Sequence, residues 1–282
     1  MTIKKKMDYK NLGIRTISGA VLVALIVFAA IEKTGWAFFG IFGLISFSSI
    51  FEFVKINHGD KLHCWLYAFA SLLLFLNSFA FIFVPFNFSD VNLSDIPIHE
   101  TLLATWMIYM IILFLIELWL KAENPIHNWE MLALSQMYIA IPFVCMTLLK
   151  DMNLLLALFV LIWVNDTFAF LTGSYLGKHK MFERISPKKS WEGFIGGNIF
   201  ALGAALVFAH YMTGYTILQW LIMGEIVIVF GTLGDLVESL MKRTLGIKDS
   251  GDTIPGHGGF LDRFDSAIVA SVALTIFSIF LL

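Results

Sequence analysis

Apolar residues run along this chain in long blocks separated by short polar connections, without the periodicity of a soluble core. Nine blocks are long enough for membrane-spanning helices, which need about 20 mostly apolar residues. They cover roughly 14–31, 36–56, 65–84, 102–120, 131–149, 152–172, 194–213, 217–235 and 264–282. The fifth is the weakest, because Ser135, Gln136 and Pro142 fall inside it. The first follows a basic stretch, as a signal peptide would. Its apolar run is long, however, and no convincing small-residue cleavage site follows, so it reads as an anchor. The pattern predicts an all-α polytopic integral membrane protein.

Cations in the connections set the orientation. The N-terminus carries Lys4, Lys5, Lys6, Lys10 and Arg15, and the second connection Lys55 and Lys61. The fourth carries Lys121, and the sixth Lys178, Lys180, Arg184, Lys188 and Lys189. The eighth carries Lys242, Arg243, Lys248 and Arg263. These are 17 of the 19 cations, and only Lys33 and Lys150 fall on the other side. Nine spans with a cytosolic N-terminus satisfy the rule; eight or ten would break the alternation. The stretch 85–101, with Asp90, Asp95, His99 and Glu100 and no cation, reads as a solvated outer loop.

Composition narrows the class further. The chain is 59% hydrophobic and 14% charged, against about 45–50% and 25% for soluble domains. That excludes a disordered chain and an ordinary cytosolic domain. A net charge of −2 offers no field for a polyanion, so nucleic acid is not an expected partner. Cys64 and Cys145 lie in or beside apolar runs and read as buried thiols.

No internal repeat or low-complexity segment is visible, yet the polar residues are unevenly placed. Residues 1–130 read as anchoring helices. Residues 131–282 hold two long inner loops, 173–193 and 242–263, and read as the functional part. At the end of the eighth block, Asp235, Glu238, Ser239 and Lys242 stand at i, i+3, i+4 and i+7 and share one helical face. Asp262, Asp265 and Ser266 repeat the pattern at the start of the ninth. Two like charges about 4 Å apart repel by about 4 kcal/mol at an effective dielectric of 20, and a divalent cation would relieve that conflict. Mg²⁺ favours one or two carboxylates plus waters and substrate phosphates.

The loop 242–263 holds Gly246, Gly251, Gly256, Gly258 and Gly259 among Lys242, Arg243, Lys248 and Arg263. Glycines let backbone N–H groups approach an anion closely. Carboxylates for a metal beside donors and cations for phosphate suit phosphoryl or nucleotidyl transfer. A second anion site is expected at Ser186-Pro187-Lys188-Lys189-Ser190, before the seventh block. There Ser190 is an expected N-cap and Glu192 suits the first turn. Asp166, near the inner end of the sixth block, is an intramembrane acid and a functional candidate by default. His257 is either a loop-structuring hydrogen bonder or part of the site.

The run Ser239–Asp265, S-L-M-K-R-T-L-G-I-K-D-S-G-D-T-I-P-G-H-G-G-F-L-D-R-F-D, resembles the signature of the phosphatidate cytidylyltransferase (CDP-diacylglycerol synthase) family. The matching positions are Ser239, Lys242, Arg243, Lys248, Asp249, His257, Gly258, Gly259, Asp262, Arg263 and Asp265. Ser186–Ser190 with Glu192 and Gly193 resembles a second family element, with Ser190 where Thr is usual. Around Asp166 the chain departs, with Phe168 and Phe170 where the family tends to show a small residue and a Tyr. The likeness is close over roughly 160–282 and lies only in hydropathy before that.

The resemblance implies transfer of a cytidylyl group from CTP to phosphatidic acid, giving CDP-diacylglycerol and pyrophosphate in phospholipid biosynthesis. It implies Asp235, Asp262, Lys242, Arg263 and His257 as catalytic residues. Metal binding falls to Asp235 and Asp262, with Asp265 and Glu238 as alternates. Lys188, Lys189, Ser186, Ser190, Arg243, Lys248, Asp249, Gly258, Gly259 and Asp166 are the expected substrate contacts. Mg²⁺ is the expected cofactor, with a second cation open, and a homodimer is an open expectation. The implied location is a bacterial inner membrane with the site facing the cytoplasm. The alternatives are a CTP-dependent polyprenol or dolichol kinase, or a CDP synthase acting on an ether lipid. A transporter, a different class, would carry its polar residues near the midplane.

Overall fold

The computed structural model describes residues 9–32, 35–87, 98–149 and 152–281. Lys4, Lys5, Lys6, Lys33, Lys150, Asp90 and Asp95, used above for orientation, lie outside the described residues, as do the side chains of Lys10 and His99. The helices are α1 (Tyr9–Ile31), α2 (Trp36–Ile56), α3 (Lys61–Asn87), α4 (Ile98–Leu120), α5 (Pro125–Ser135), α6 (Ile141–Leu148), α7 (Met152–Leu176), α8 (Trp191–Tyr211), α9 (Ile217–Thr244) and α10 (Leu261–Leu281). Among the described residues, nine helices are long and apolar enough to cross a membrane. The protein is thus an all-α polytopic membrane protein.

The expected weakness of the fifth span is visible. Ser135 ends α5, a π-helical turn covers Gln136–Ala140, and Pro142 lies in the first turn of α6. Pro142 lacks an N–H, so the ladder must shift register there. The three pieces still make one span, Pro125–Leu148.

The two inner loops are shorter than the hydropathy suggests, because helices carry polar residues past the apolar runs. α7 reaches Leu176 and α9 reaches Thr244. At 28 residues α9 is about 42 Å long, beyond the roughly 30 Å hydrocarbon layer. Asp235 therefore lies nine residues, about 14 Å, before the end of its helix. The sixth connection adds a small antiparallel hairpin, β1 (Lys180–Phe182) with β2 (Ser186–Ser190).

Small side chains draw α8 onto α7. Gly193, Gly197, Ala201 and Ala205, at every fourth position, are the buried residues of α8, and such stripes let backbones approach closely in lipid. Opposite, Ile195, Ile199, Phe200 and Val207 are exposed. The core is aromatic where α2, α6, α7 and α10 meet: Phe42, Phe143, Phe159 and Phe264 form mutual ring contacts with centroids 5.7–6.3 Å apart.

Candidate functional site

The site assembles at the adjoining ends of α7, α8, α9 and α10. Asp262, in the first turn of α10, is buried and fully engaged. Its Oδ1 accepts from Lys242 Nζ at 2.7 Å, and its Oδ2 accepts from the backbone N–H groups of Ser250 (2.8 Å) and Gly259 (2.9 Å). Lys242 also donates to Glu238 Oε2 at 2.9 Å, one turn back on α9. The chain Glu238–Lys242–Asp262 thus locks α9 to α10 and folds the loop between them onto its own carboxylate. Gly258 has φ +80°, and a Cβ there would lie 2.6 Å from Asp262 Oδ2, so only glycine fits.

A second carboxylate, from the N-terminal part, grips the same loop. Glu52 of α2 is buried; its Oε1 accepts from Thr253 Oγ1 (2.6 Å) and the Phe260 N–H (3.1 Å), and its Oε2 from the Leu261 N–H (3.1 Å). A Cβ at Gly259 would collide with Glu52 Oε2. α1 touches the loop from the other side: Ser18 Oγ stands 2.8 Å from His257 Nδ1 and 3.0 Å from the Pro255 carbonyl oxygen. Burial, then the charges of Arg263 and Arg15, hold the His257 imidazole below its ordinary pKa. It is neutral near pH 7, and its Nδ1 shares a hydrogen bond with the Ser18 hydroxyl.

The sixth connection is built as its sequence suggests. Ser190 caps α8, its Oγ accepting from the Gly193 N–H at 3.2 Å. Glu192 reaches back to His179, 2.5 Å from its Nδ1, and to the N–H groups of Lys178 and His179 at 3.1 and 3.2 Å. The hairpin is thereby tied to the start of α8 and aims Lys189 at α9. Lys189 Nζ lies 2.7 Å from Asp235 Oδ2, while Asp235 Oδ1 accepts from Ser239 Oγ at 3.1 Å.

Two cavities meet at Asp235. One, of about 380 Å³, is lined by Ser186, Lys188, Lys189 and Ser190 together with Asn165, Asp166, Phe170, Phe194 and Asp235. The other, of about 400 Å³, is lined by Asp166, Asp235, Lys242, Asp249, His257, Asp262, Arg263 and Asp265, and continues among apolar residues of α1 and α7. Asp166 and Asp235 belong to both walls. Most of the expected site residues are therefore brought together. Glu238 faces a separate cavity of about 260 Å³ with Lys242. Arg243 and Lys248 line none of these spaces. Arg243 instead donates to the Ile247 carbonyl at 3.0 Å and closes the turn after α9. Gly258 and Gly259 serve the loop's backbone geometry.

Sequence reasoning missed Glu52, Arg15, Ser18 and Gly19. Glu52 carried a usable signal: it is a lone acid inside an apolar span, the same criterion that singled out Asp166.

Among the described residues, no group of three or more His, Cys, Asp or Glu side chains forms a ready-made metal cage. Mg²⁺ needs less from the protein, since waters and substrate phosphates complete its shell. Asp166, Asp235 and Asp265 converge on one cavity as all-oxygen donors. That donor set fits a hard divalent cation.

Together the fold and site define a polytopic membrane protein with two adjoining polar cavities, divided by carboxylates and edged with lysine and arginine. The chain belongs to the cytidylyltransferase family, whose profile matches residues 13–281. It is 43% identical over 137 residues to the phosphatidate cytidylyltransferase of Staphylococcus aureus (strain COL), covering 47% of this chain and 52% of that protein. It is 44% identical over 137 residues to that of Staphylococcus saprophyticus, with the same coverage. To that of Haemophilus influenzae it is 42% identical over 134 residues, covering 46% of each chain. The chain spans about half the length of the curated relatives it matches.

Proposed function

We propose that the protein transfers a cytidylyl group from CTP to phosphatidic acid, releasing pyrophosphate. The observation that carries this reading is the pair of cavities sharing Asp166 and Asp235. A nucleotidyl transfer between a soluble and a lipid substrate needs two adjoining anion sites with a common wall where the reacting groups meet. The names of the relatives support the choice of substrates.

The triphosphate occupies the cavity under the hairpin, where Lys188 and Lys189 supply charge and Ser186 and Ser190 supply hydroxyls. The lipid phosphate occupies the second cavity, beside Arg263 and His257. An oxygen of that phosphate attacks the α-phosphorus of CTP, a P–O bond forms, and pyrophosphate leaves. The attacking oxygen is already ionised, so no general base is required, and the residues contribute positioning and charge neutralisation. Lys189 and Lys242 keep Asp235 and Asp262 in place while both anions enter. Asp235 and Asp265, with Asp166 alongside, would hold Mg²⁺, which when bound supplies Lewis-acid neutralisation of the phosphates. We read the site as cytoplasmic, in a bacterial inner membrane, because the cations of the connections cluster on its side and CTP arrives from the cytosol.

The test is incubation of purified protein with CTP, Mg²⁺ and phosphatidic acid. CDP-diacylglycerol and pyrophosphate in equal amounts are expected. Absence of any cytidine-containing lipid would refute the reading.

A further inference from the structure

Glu225 of α9 and Asn198 of α8 form a polar pair away from the site. The Asn198 amide nitrogen donates to both carboxylate oxygens, at 3.0 Å to Oε1 and 2.9 Å to Oε2. Glu225 lies eight residues, about 12 Å, from the start of α9 at Ile217. Asn198 lies seven residues, about 10 Å, from the start of α8 at Trp191. These two starts are at opposite faces of the membrane, so the pair stands near mid-depth. It bridges a tight seam between the helices: a Cβ at Gly224 would lie 3.1 Å from the Ala205 Cβ.

This carboxylate is exposed and lines none of the cavities described above. The surface around it is built for hydrocarbon, with Ile195, Ile199 and Leu206 of α8 and Leu218 and Ile222 of α9 also exposed. Acids inside a membrane almost always face a bundle interior or a water-filled cavity and are paired there. Asn198 supplies a donor but no charge, and one NH₂ group leaves carboxylate lone pairs unused. Neither helix carries a Lys or Arg before Lys242, 17 positions on and roughly 26 Å away.

We propose that the α8–α9 face docks a transmembrane helix of another protein, apolar along its length and carrying a Lys or Arg near its middle. The occupant follows from charge complementarity. A lipid chain brings no donor to the carboxylate. A second copy of this chain, related by a two-fold axis along the membrane normal, would bring another Glu225 to the same depth, a like charge where the opposite one is missing. A cation on a partner helix meets a carboxylate that Asn198 already orients, and such polar contacts join helices in lipid. The seat is ten positions, about 15 Å, from Asp235 on the same helix, so docking leaves the site's cavities open and is independent of the assigned reaction.

The probes are synthetic Leu–Ala peptides of about 23 residues, long enough to span the bilayer, with Lys, Leu or Glu at the central position. Each carries a fluorescent acceptor and is reconstituted in vesicles with the donor-labelled full chain, and energy transfer gives the association constant. The Lys peptide should bind about tenfold more tightly than the Leu peptide, the scale of one polar contact between helices in lipid. The Glu peptide should bind no better than the Leu peptide. Glu225→Gln, which keeps an oxygen facing Asn198, should erase the preference for Lys, and Glu225→Lys should transfer it to the Glu peptide. Equal binding of the Lys and Leu peptides by the wild-type chain would overturn the proposal without recourse to any variant. A Lys preference that survives Glu225→Gln would do the same. So would efficient disulfide trapping of two copies through Glu225→Cys in a background lacking Cys64 and Cys145, which would give the face to a second copy of this chain.

Discussion

Asp262 binds the side chain of Lys242 and the backbone of its own loop at the same time: Lys242 Nζ is 2.7 Å from Oδ1, while Oδ2 takes the N–H groups of Ser250 and Gly259. All three partners are donors, so an amide cannot replace the carboxylate without turning an NH₂ group towards one of them. This residue organises the loop as well as lying beside the proposed reaction centre.

Asp262→Asn should therefore loosen the loop. Breaking a buried pair costs about 3–5 kcal/mol, and synthesis of the CDP-lipid should fall on the order of 10²–10³-fold. Hydrogen exchange of residues 248–260 should quicken. The Mg²⁺ concentration for half-maximal activity separates the roles of the two aspartates. It should rise in Asp235→Asn and move little in Asp262→Asn. A larger rise in the Asp262 variant would make Asp262 the metal ligand and Asp235 the scaffold.

Glu52 makes an equally definite prediction, from the half of the chain that sequence reading left as an anchor. Its carboxylate accepts a hydroxyl and two backbone N–H groups from the loop. Hydrogen bonds to charged groups are worth about 1.5–3 kcal/mol, so Glu52→Gln should lower activity roughly 10- to 100-fold while membrane insertion stays normal. Activity assays on equal amounts of inserted protein decide it; wild-type rates would make the contact dispensable.

The reach of the sequence follows from what each signal encodes. Hydropathy records burial in lipid, so the nine spans were legible. Helix spacing placed Asp235, Glu238 and Lys242 on one face, and the capping rule located Ser190. Hydropathy alone ends the eighth span near Asp235, but the i, i+3, i+4 and i+7 spacing of Asp235, Glu238, Ser239 and Lys242 carries the helix on towards Leu245, and α9 does run to Thr244. Glu52 meeting the Phe260 N–H depends on α2 packing beside α10, a contact across 208 positions that no local pattern encodes. The engagement of Asp262 depends on how the glycine loop folds back, which spacing alone leaves open.

His257 should make the α1 contact sensitive to pH. Its pKa in the fold lies below the ordinary value of 6.5, so its neutral form favours the folded arrangement. That contribution is fully present above about pH 6.5 and is lost as pH falls through the lower folded value. Protonation then sets a third positive charge beside Arg15 and Arg263. Hydrogen exchange of residues 13–20, corrected for intrinsic rates, should show less protection at pH 5.5 than at 7.5, and His257→Ala should abolish the difference. Protection that rises on acidification would contradict this account.

Orientation can be read by cysteine labelling in a background lacking Cys64 and Cys145. Ser250 is a poor reporter because it is only 2% exposed, whereas Asp252 and Thr213 are exposed. An impermeant thiol reagent on intact cells should label Thr213→Cys and spare Asp252→Cys. Labelling of position 252 would put the glycine loop outside, away from cytosolic CTP.

The most direct measurement follows the phosphorus. Purified protein with Mg²⁺ and phosphatidic acid is given CTP labelled at either the α- or the γ-phosphate, with and without a chelator. The lipid should acquire the α label alone, the γ label should appear in pyrophosphate, and the chelator should stop both. Transfer of the γ label to lipid would make the protein a kinase, and undiminished α transfer in chelator would remove the divalent cation from the site.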